Sequence, residues 1–325
     1  VRVLVTGGAG YIGSHTVRFL IEAGHAVSVV DNLKHGYAHN VPDGLLHVLD
    51  VADTDALAER MRGCDAVVHF AALIGVGEST KLPELHFRNN LAGSISVVEA
   101  MVRAGVSNIV FSSTAAVYGE TALDPIPESA PIAPSNPYGE TKAMVERMLD
   151  WMDARRGIRS VRLRYFNACG AEPRFGIGEE HEPETHLIPL LFRAIDSGRP
   201  VTVFGDDYPT PDGTCIRDYV HVSDLASAHL AALDHLEKGG STRAYNVGTG
   251  RGHSVFEVIR AVEEATGRKV PYFVGSRRDG DPPRLVADAG KLRAELGWSP
   301  RYLDLRETVR TAWDFERVRL ARRAM

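Results

Sequence analysis

The sequence predicts an α/β fold, a doubly wound parallel sheet with a smaller C-terminal α/β lobe. Three observations carry that expectation. Short apolar runs alternate with helix-periodic stretches through the first half. A glycine-dense turn separates the first run from the first helix, and after Phe166 the texture becomes rich in Gly, Pro and Glu. Strands separated by helices form parallel βαβ units with right-handed crossovers, and ligands bind over the carboxyl edge of such a sheet.

Taken in order, Val3-Leu4-Val5 is a short apolar strand, followed by the glycine turn and a helix ending near Gly24. Further strands are expected at 26–31, 45–50, 66–70, 108–113 and 161–166, with a helix over 54–62. Leu91, Ile95, Val98 and Met101 recur at steps of four, three and three, a helical stripe stopped by Gly105. Met144, Val145, Met148, Leu149 and Met152 form a second stripe. Most of the strands are apolar throughout, as expected when helices cover both faces. Beyond Phe166, residues 205–215 read GDDYPTPDGTC, a dense turn cluster. Short strands near Val201, Ile216, Tyr245 and Val270 interleave with helices over 223–235 and 255–266. Residues 1–166 make one unit and 167–325 the other, with segments near 215–247 returning to the main sheet.

A chain of 325 residues buries a large core without disulfides or structural metals. With 37 Lys+Arg against 42 Asp+Glu it has no global attraction to nucleic acid or anionic lipid. Arg317, Arg319, Arg322 and Arg323 read as a solvated basic tail. The longest stretch free of charged residues, Ala104 to Gly119, is 16 residues. That falls short of the roughly 18 apolar residues a spanning helix needs. The opening apolar residues read as a strand rather than a leader. Cys64, Cys169 and Cys215 are widely spaced and never form CxxC, which argues against a disulfide framework and suits a reducing cytoplasm.

The segment Val5-Thr6-Gly7-Gly8-Ala9-Gly10-Tyr11-Ile12-Gly13 succeeds the first strand and opens a helix. Gly7 permits the tight turn, Gly10 lets the backbone approach a pyrophosphate, and Gly13 allows close helix–sheet packing. The N–H groups of the helix start then meet the phosphate charge. Asp31 closes the second strand 18 residues past Gly13. A carboxylate there accepts hydrogen bonds from the adenosine ribose and repels a 2′-phosphate, which selects NAD over NADP. Residues 1–166 therefore read as a Rossmann-like NAD-binding domain. Asp50, at the end of the third strand, fits either the adenine edge or the N-cap of the next helix.

Tyr138-Gly139-Glu140-Thr141-Lys142 puts a phenol and an ammonium on one helical face at i and i+4. A phenol of ordinary pKa about 10 is a poor base at neutral pH. A neighbouring lysine cation and a positive nicotinamide ring favour its ionised form. Thr114, which ends the strand after Ser112 and Ser113, supplies a hydroxyl to relay the proton. A YxxxK pattern alone is common; its weight comes from its company with the glycine turn.

With these motifs the chain resembles the extended short-chain dehydrogenase/reductase family, and within it the UDP-glucose (UDP-galactose) 4-epimerases. The resemblance covers essentially the whole chain. It is carried by VTGGAGYIGSHT at 5–16, DNL at 31–33, HFAA at 69–72, VGES at 76–79, NN at 89–90 and FSSTAAVYG at 111–119. It continues with NPYGETK at 136–142, RYFNACGA at 164–171, GDDYPTPDGTCIRDYVHV at 205–222, YNVGTG at 245–250 and RRDGDPP at 277–283.

The resemblance implies that Tyr138 is the base for the sugar 4-hydroxyl, that Lys142 bonds the nicotinamide ribose, and that Thr114 bridges sugar and phenol. It implies NAD contacts at Gly7, Gly10, Tyr11, Ile12, Asp31, Asn32, Asp50, Val51, Phe70, Ala71 and Asn89, with Tyr165 and Phe166 near the nicotinamide. For a UDP-sugar it implies Asn167, Arg217, Arg278 and Asp281 at the diphosphate and uridine ribose. Thr202 and Phe204 would lie at the uracil, with Tyr219 in the same pocket and Leu285 beside the sugar C2 substituent. Guanidinium is a preferred partner of diphosphate oxygens, which supports Arg217 and Arg278 independently. Thr114 stands where many members have Ser, and Ile74 where some carry a cofactor-contacting Lys. An isologous dimer through a four-helix bundle is also implied.

His69 and His221 read as hydrogen-bonded structural residues. Glu179, Glu180, His181, Glu182, Glu184 and His186 include metal-capable groups but lack the helical HExxH spacing, and Pro183 points to a loop. The segment reads as a flexible lid without metal, His186 reaching toward the diphosphate.

The activity implied is reversible 4-epimerisation of UDP-glucose and UDP-galactose through a 4-keto intermediate, hydride returning to the opposite face. Other readings stay open: a 4-epimerase of UDP-GlcNAc or a UDP-pentose, a nucleotide-sugar dehydratase, or an NAD-binding sensor. A dehydratase needs a further acid/base pair after the threonine, where this chain has Ala115-Ala116.

Overall fold

The computed structural model describes residues 1–278 and 281–324. Asp279 and Gly280 of the RRDGDPP segment, and the Arg322 and Arg323 side chains of the basic tail, lie outside the described residues. The strands are β1 (Arg2–Thr6), β2 (Ala26–Asp31), β3 (Leu46–Val48), β4 (Ala66–His69), β5 (Asn108–Thr114), β6 (Arg159–Tyr165) and β7 (Asn167–Cys169). They continue as β8 (Val201–Phe204), β9 (Ile216–His221), β10 (Arg243–Val247), β11 (Gly252–Ser254), β12 (Tyr272–Gly275) and β13 (Arg284–Leu285). An all-parallel sheet of seven runs in the order β10-β6-β5-β4-β1-β2-β3.

The direction of winding reverses between β1 and β4, and a crevice opens at such a reversal above the strand ends. Alternating residues of each strand feed two apolar layers. Val3 and Val5 pack with Val17, Leu20, Leu225 and Leu233 on one face. Leu4 and Val67 pack with Leu57, Val97, Met101 and Leu149 on the other. The helix Val222–Glu237 belongs to the first of these layers, although it lies late in the sequence. Arg243–Val247 likewise joins the main sheet, whereas Ile216–His221 sits in a separate four-stranded sheet with β7, β11 and β13. Strands β8 and β12 pair parallel to one another.

Two local features depart from the apolar pattern. Leu91 falls in a π-helical stretch, Phe87–Ala92, that runs into the helix Gly93–Ala104. Beyond it the buried face of the helix is centred on Val97, Val98 and Met101, which leaves Ile95 40% exposed. Strand β6 alternates rather than staying apolar: Arg162 and Arg164 point to the helix Pro137–Arg156 and pair with its Asp150 and Glu146.

Candidate active site

The glycine turn lies at the β1–β4 crevice. Gly7 has φ +71°, and a Cβ there would sit 2.6 Å from Ala71 N. A Cβ on Gly13 would lie 2.2 Å from Gly7 O, so helix and turn touch through bare backbone. At Gly10 the same atom meets only Gly7 O at 3.4 Å, and no side chain caps the helix Tyr11–Glu22. An open glycine before an uncapped helix start is a cradle for a pyrophosphate. Asp31 borders it: Ala9 N and Leu33 N donate to its carboxylate at 3.0 and 2.8 Å. Burial raises the pKa of this carboxyl, and the two N–H groups oppose the rise.

Asn32 donates to Asp50 at 2.9 Å, and Asp50 also accepts from Ala52 N. Asp50 is therefore not the N-cap of the next helix. Asp53 is, accepting from Ala56 N at 3.1 Å, because the third strand stops at Val48 and leaves a longer turn. Tyr11 donates its phenol proton to Gly170 O at 2.6 Å. Ile12 packs on the first apolar layer, and Val51 on the second. Asn89 donates to Asn90, whose amide also bonds Leu73 N, Leu73 O and Thr141 Oγ1. Asn90 thereby ties the loop after β4 to the helix Pro137–Arg156.

That helix carries the reacting pair. Asn136 caps it by accepting from Gly139 N at 2.9 Å, with Pro137 in its first turn, where a missing N–H costs nothing. Tyr138 hydrogen-bonds Thr114 at the end of β5. Lys142 is buried, donates to Ser112 O at 2.9 Å and lies 4.9 Å from the centre of the Phe111 ring. Burial pushes Tyr138 up to about 12, the Thr114 hydrogen bond acting the other way. Burial lowers Lys142 to about 7, against the Glu146 charge. The lysine thus spends its contacts on the strand rather than on depressing the phenol. Tyr165 donates to Ser112 Oγ, so one residue holds both the lysine and this tyrosine.

Glu146 and His229, which no quoted motif includes, support the pair together with Arg164. Glu146, one turn beyond Lys142, accepts from Ser113 Oγ and from Arg164 Nε and Nη2. Arg164 continues to Tyr118 Oη at 3.0 Å, and Tyr118 donates to Asn246 Oδ1 at 2.7 Å. His229 packs against Phe70 and Tyr165, with ring centroids 4.6 and 5.8 Å away. The two arginines inside the β6 strand were the available signal, since a charge at a buried strand position requires a partner. The two histidines expected to be structural are bonded inside the fold. His69 lies between Thr6 and Ser94, and His221 accepts from Ser223 N while its ring stacks on Tyr302.

The groups expected to hold substrate come from the second lobe. Asn167 is exposed on β7 and registers with Tyr219 on β9; Leu285 on β13 registers with Arg217. Arg217 lies 3.4 Å from Asp281, and the Arg278 guanidinium stacks 4.4 Å over Phe204, on the strand that also carries Thr202. Leu285 and Phe166 pack against a cluster containing Ala115 and Ala143, which places Leu285 beside the reacting strand end. His186, expected at the diphosphate, has a partner in its own loop. It pairs with Glu179 within its own loop, drawn there because Glu179 is a buried carboxylate held at about 2 by His186 and His181, although burial opposes this.

A dinucleotide cradle joined to a Thr–Tyr–Lys group at the end of β5 defines an enzyme of the short-chain dehydrogenase type, built for hydride chemistry at a carbinol. The family profile described as the NAD dependent epimerase/dehydratase family matches residues 3–248. The chain belongs to that family. It is 49% identical over 320 residues to the UDP-glucose 4-epimerase of Azospirillum brasilense, covering 97% of this chain and 92% of that one. To that of Halalkalibacterium halodurans it is 47% identical over 319 residues, covering 97% and 95%. The Brucella ovis UDP-glucose 4-epimerase, crystallised with NAD, superposes with a TM-score of 0.93 at 46% identity, covering 96% and 97%. The Stenotrophomonas maltophila UDP-glucose-4-epimerase with bound NAD and formylated UDP-arabinopyranose gives 0.94 at 43% identity, covering 100% and 99%.

Proposed function

We propose that the chain interconverts UDP-glucose and UDP-galactose by NAD-dependent 4-epimerisation. The observation that carries this is the Thr114–Tyr138–Lys142 group beside the glycine cradle, followed by Ala115-Ala116 rather than by an acid/base pair. NAD, held by the Gly7–Gly13 turn and Asp31, would supply the hydride acceptor and donor for the sugar C4. Tyr138 takes and returns the 4-hydroxyl proton, Thr114 bridges phenol and sugar, and Lys142 holds the ribose side of the crevice. Arg217 and Arg278 anchor the diphosphate, so binding energy remote from C4 keeps a reactive ketone enclosed.

The test is incubation with UDP-galactose and no added NAD, followed by chromatography of the sugars. UDP-glucose is expected, because the cofactor ends each cycle as it began and has no need to leave. A 4-keto-6-deoxy product would convert the reading to a dehydratase, and no turnover on addition of NAD would convert it to a sensor.

Leu285 sets substrate breadth in this reading. Its side chain is larger than Ser and occupies the ground beside C2, so UDP-GlcNAc is a poor substrate. Leu285→Ser is expected to raise kcat/KM for UDP-GlcNAc relative to UDP-glucose by roughly ten- to two-hundredfold, the range pocket size allows. Equal kcat/KM for both sugars in the unmutated enzyme would remove Leu285 from this role.

The protomer is proposed to pair isologously through the helices Gly93–Ala104 and Pro137–Arg156, where Ile95, Val102 and Trp151 are 40%, 43% and 64% exposed. Light scattering is expected to return twice 35.4 kDa; a concentration-independent monomer mass rejects the dimer. No helix of the described residues is long and apolar enough to cross a membrane. Free Cys64, Cys169 and Cys215 fit a reducing cytoplasm, which is the proposed location.

A further inference from the structure

Four ligating side chains converge in the loop ahead of the helix Leu187–Ser197. Glu179, His181, Glu184 and His186 each offer one atom, and these atoms lie within 4.8 Å of one another. None of the four is spaced as a helical metal motif; the fold of the loop brings them together. The Arg193 guanidinium bonds His181 O at 2.9 Å, and Gly178 abuts the Phe315 ring of the last helix so closely that a Cβ would fall 2.4 Å from it.

The cluster sets two buried carboxylates against two imidazoles, whose protons a divalent ion can replace. The Glu179 and Glu184 side chains are only 7% and 1% exposed, and among the described residues their ion-pair partners are the two imidazoles, not a lysine or arginine. Buried carboxylates are costly unless a positive charge is supplied. A second observation points the same way. His181 Nδ1 is buried and stands 3.4 Å from one Glu179 oxygen and 3.7 Å from one Glu184 oxygen, longer than a good hydrogen bond. Glu184 is held in place by Thr185 N and His186 N, which donate to it at 2.8 and 2.9 Å, the outer support that metal-binding carboxylates use.

We infer that Glu179, His181, Glu184 and His186 bind one divalent ion of the zinc type. Two imidazoles exclude the all-oxygen preference of calcium and magnesium, and the mixed N/O set suits zinc. Four protein ligands close the coordination sphere, so the ion is structural rather than catalytic. It would fasten the 179–186 loop beside Tyr11, whose ring centroid lies 6.2 Å from that of His181 and whose phenol is already committed to Gly170 O.

The full-length protein, incubated with zinc chloride and dialysed into metal-free buffer, is expected to retain about one zinc per chain by mass spectrometry, as structural sites do. Cobalt loading should give the intense visible bands of a four-coordinate ion, and chelation should lower Tm. His181→Ala and Glu184→Gln are each expected to weaken zinc binding about a hundredfold or more. Glu184→Gln keeps shape and volume, so it decides the matter if His181→Ala fails to fold. Absence of zinc after dialysis, a six-coordinate cobalt spectrum, or equal zinc retention by native protein and Glu184→Gln would each overturn the site. Any of these leaves two imidazoles and two carboxylates that share protons only.

Discussion

Tyr138→Phe is expected to lower kcat by about a hundred- to ten-thousandfold, the usual worth of a positioned proton acceptor. The substitution removes one oxygen. The ring stays on the helix start between its cap Asn136 and Lys142, and the one bond lost is that with Thr114. A single hydrogen bond contributes about 1 kcal/mol, so the fold and the dinucleotide cradle should persist. The measurement is turnover of UDP-galactose beside the absorbance of retained cofactor. Turnover within tenfold of the native rate would remove the phenol from the chemistry, whereas loss of cofactor would assign it a structural part.

The largest expected effect on stability is at Arg164. Its guanidinium and the Glu146 carboxylate are 8% and 6% exposed, and they meet through two donors. Arg164→Met leaves Glu146 buried with the Ser113 hydroxyl as its hydrogen-bond donor and the Lys142 charge nearby, a loss of about 3 kcal/mol for a buried charge that has lost its bonded partner. Against a total stability of about 5–15 kcal/mol, that change will be obvious in the urea midpoint. The pair Arg164→Met with Glu146→Leu should recover most of the loss, since apolar replacement of both partners of a buried pair is often neutral. A single-variant loss below about 1 kcal/mol would show that the pair is solvated in practice.

The parts of this site that could be read from the chain are those whose residues are neighbours in sequence. Gly7, Gly10 and Gly13 fall within one turn and helix start, Tyr138 and Lys142 within one helical repeat, and Asp31 at the end of an apolar strand. The main sheet was legible for the same reason, because each apolar run declares itself. What supports the pair was legible only in part, through the arginines at buried β6 positions. Glu146 and Arg164 stand on different elements, and a charged residue on a helix is ordinarily a solvated one. His229 reaches Phe70 and Tyr165 only because a helix from the second half of the chain packs on the first. The convergence of Glu179 and His186 depends on a loop path that spacing alone does not encode. Asp50 passes for an N-cap in the sequence because the end of β3 cannot be placed there to within the few residues that separate it from Asp53.

The π-helical stretch Phe87–Ala92 makes chain length itself a stored quantity. A π-helical turn holds one residue more than an α-helical one, so removing one residue there lets the turn narrow to α and leaves Gly93–Ala104 in phase. Val97, Val98 and Met101 would keep their packing on Leu57 and Leu149, and the cost would fall on Asn90, which would lose its hold on Leu73. Exposed Arg88 and Ala92 can change identity freely. A deletion among the same six positions is taken up by the helix and felt at Asn90. In descent, Arg88 and Ala92 should vary while Asn90, and the count of residues that places it, stay constant.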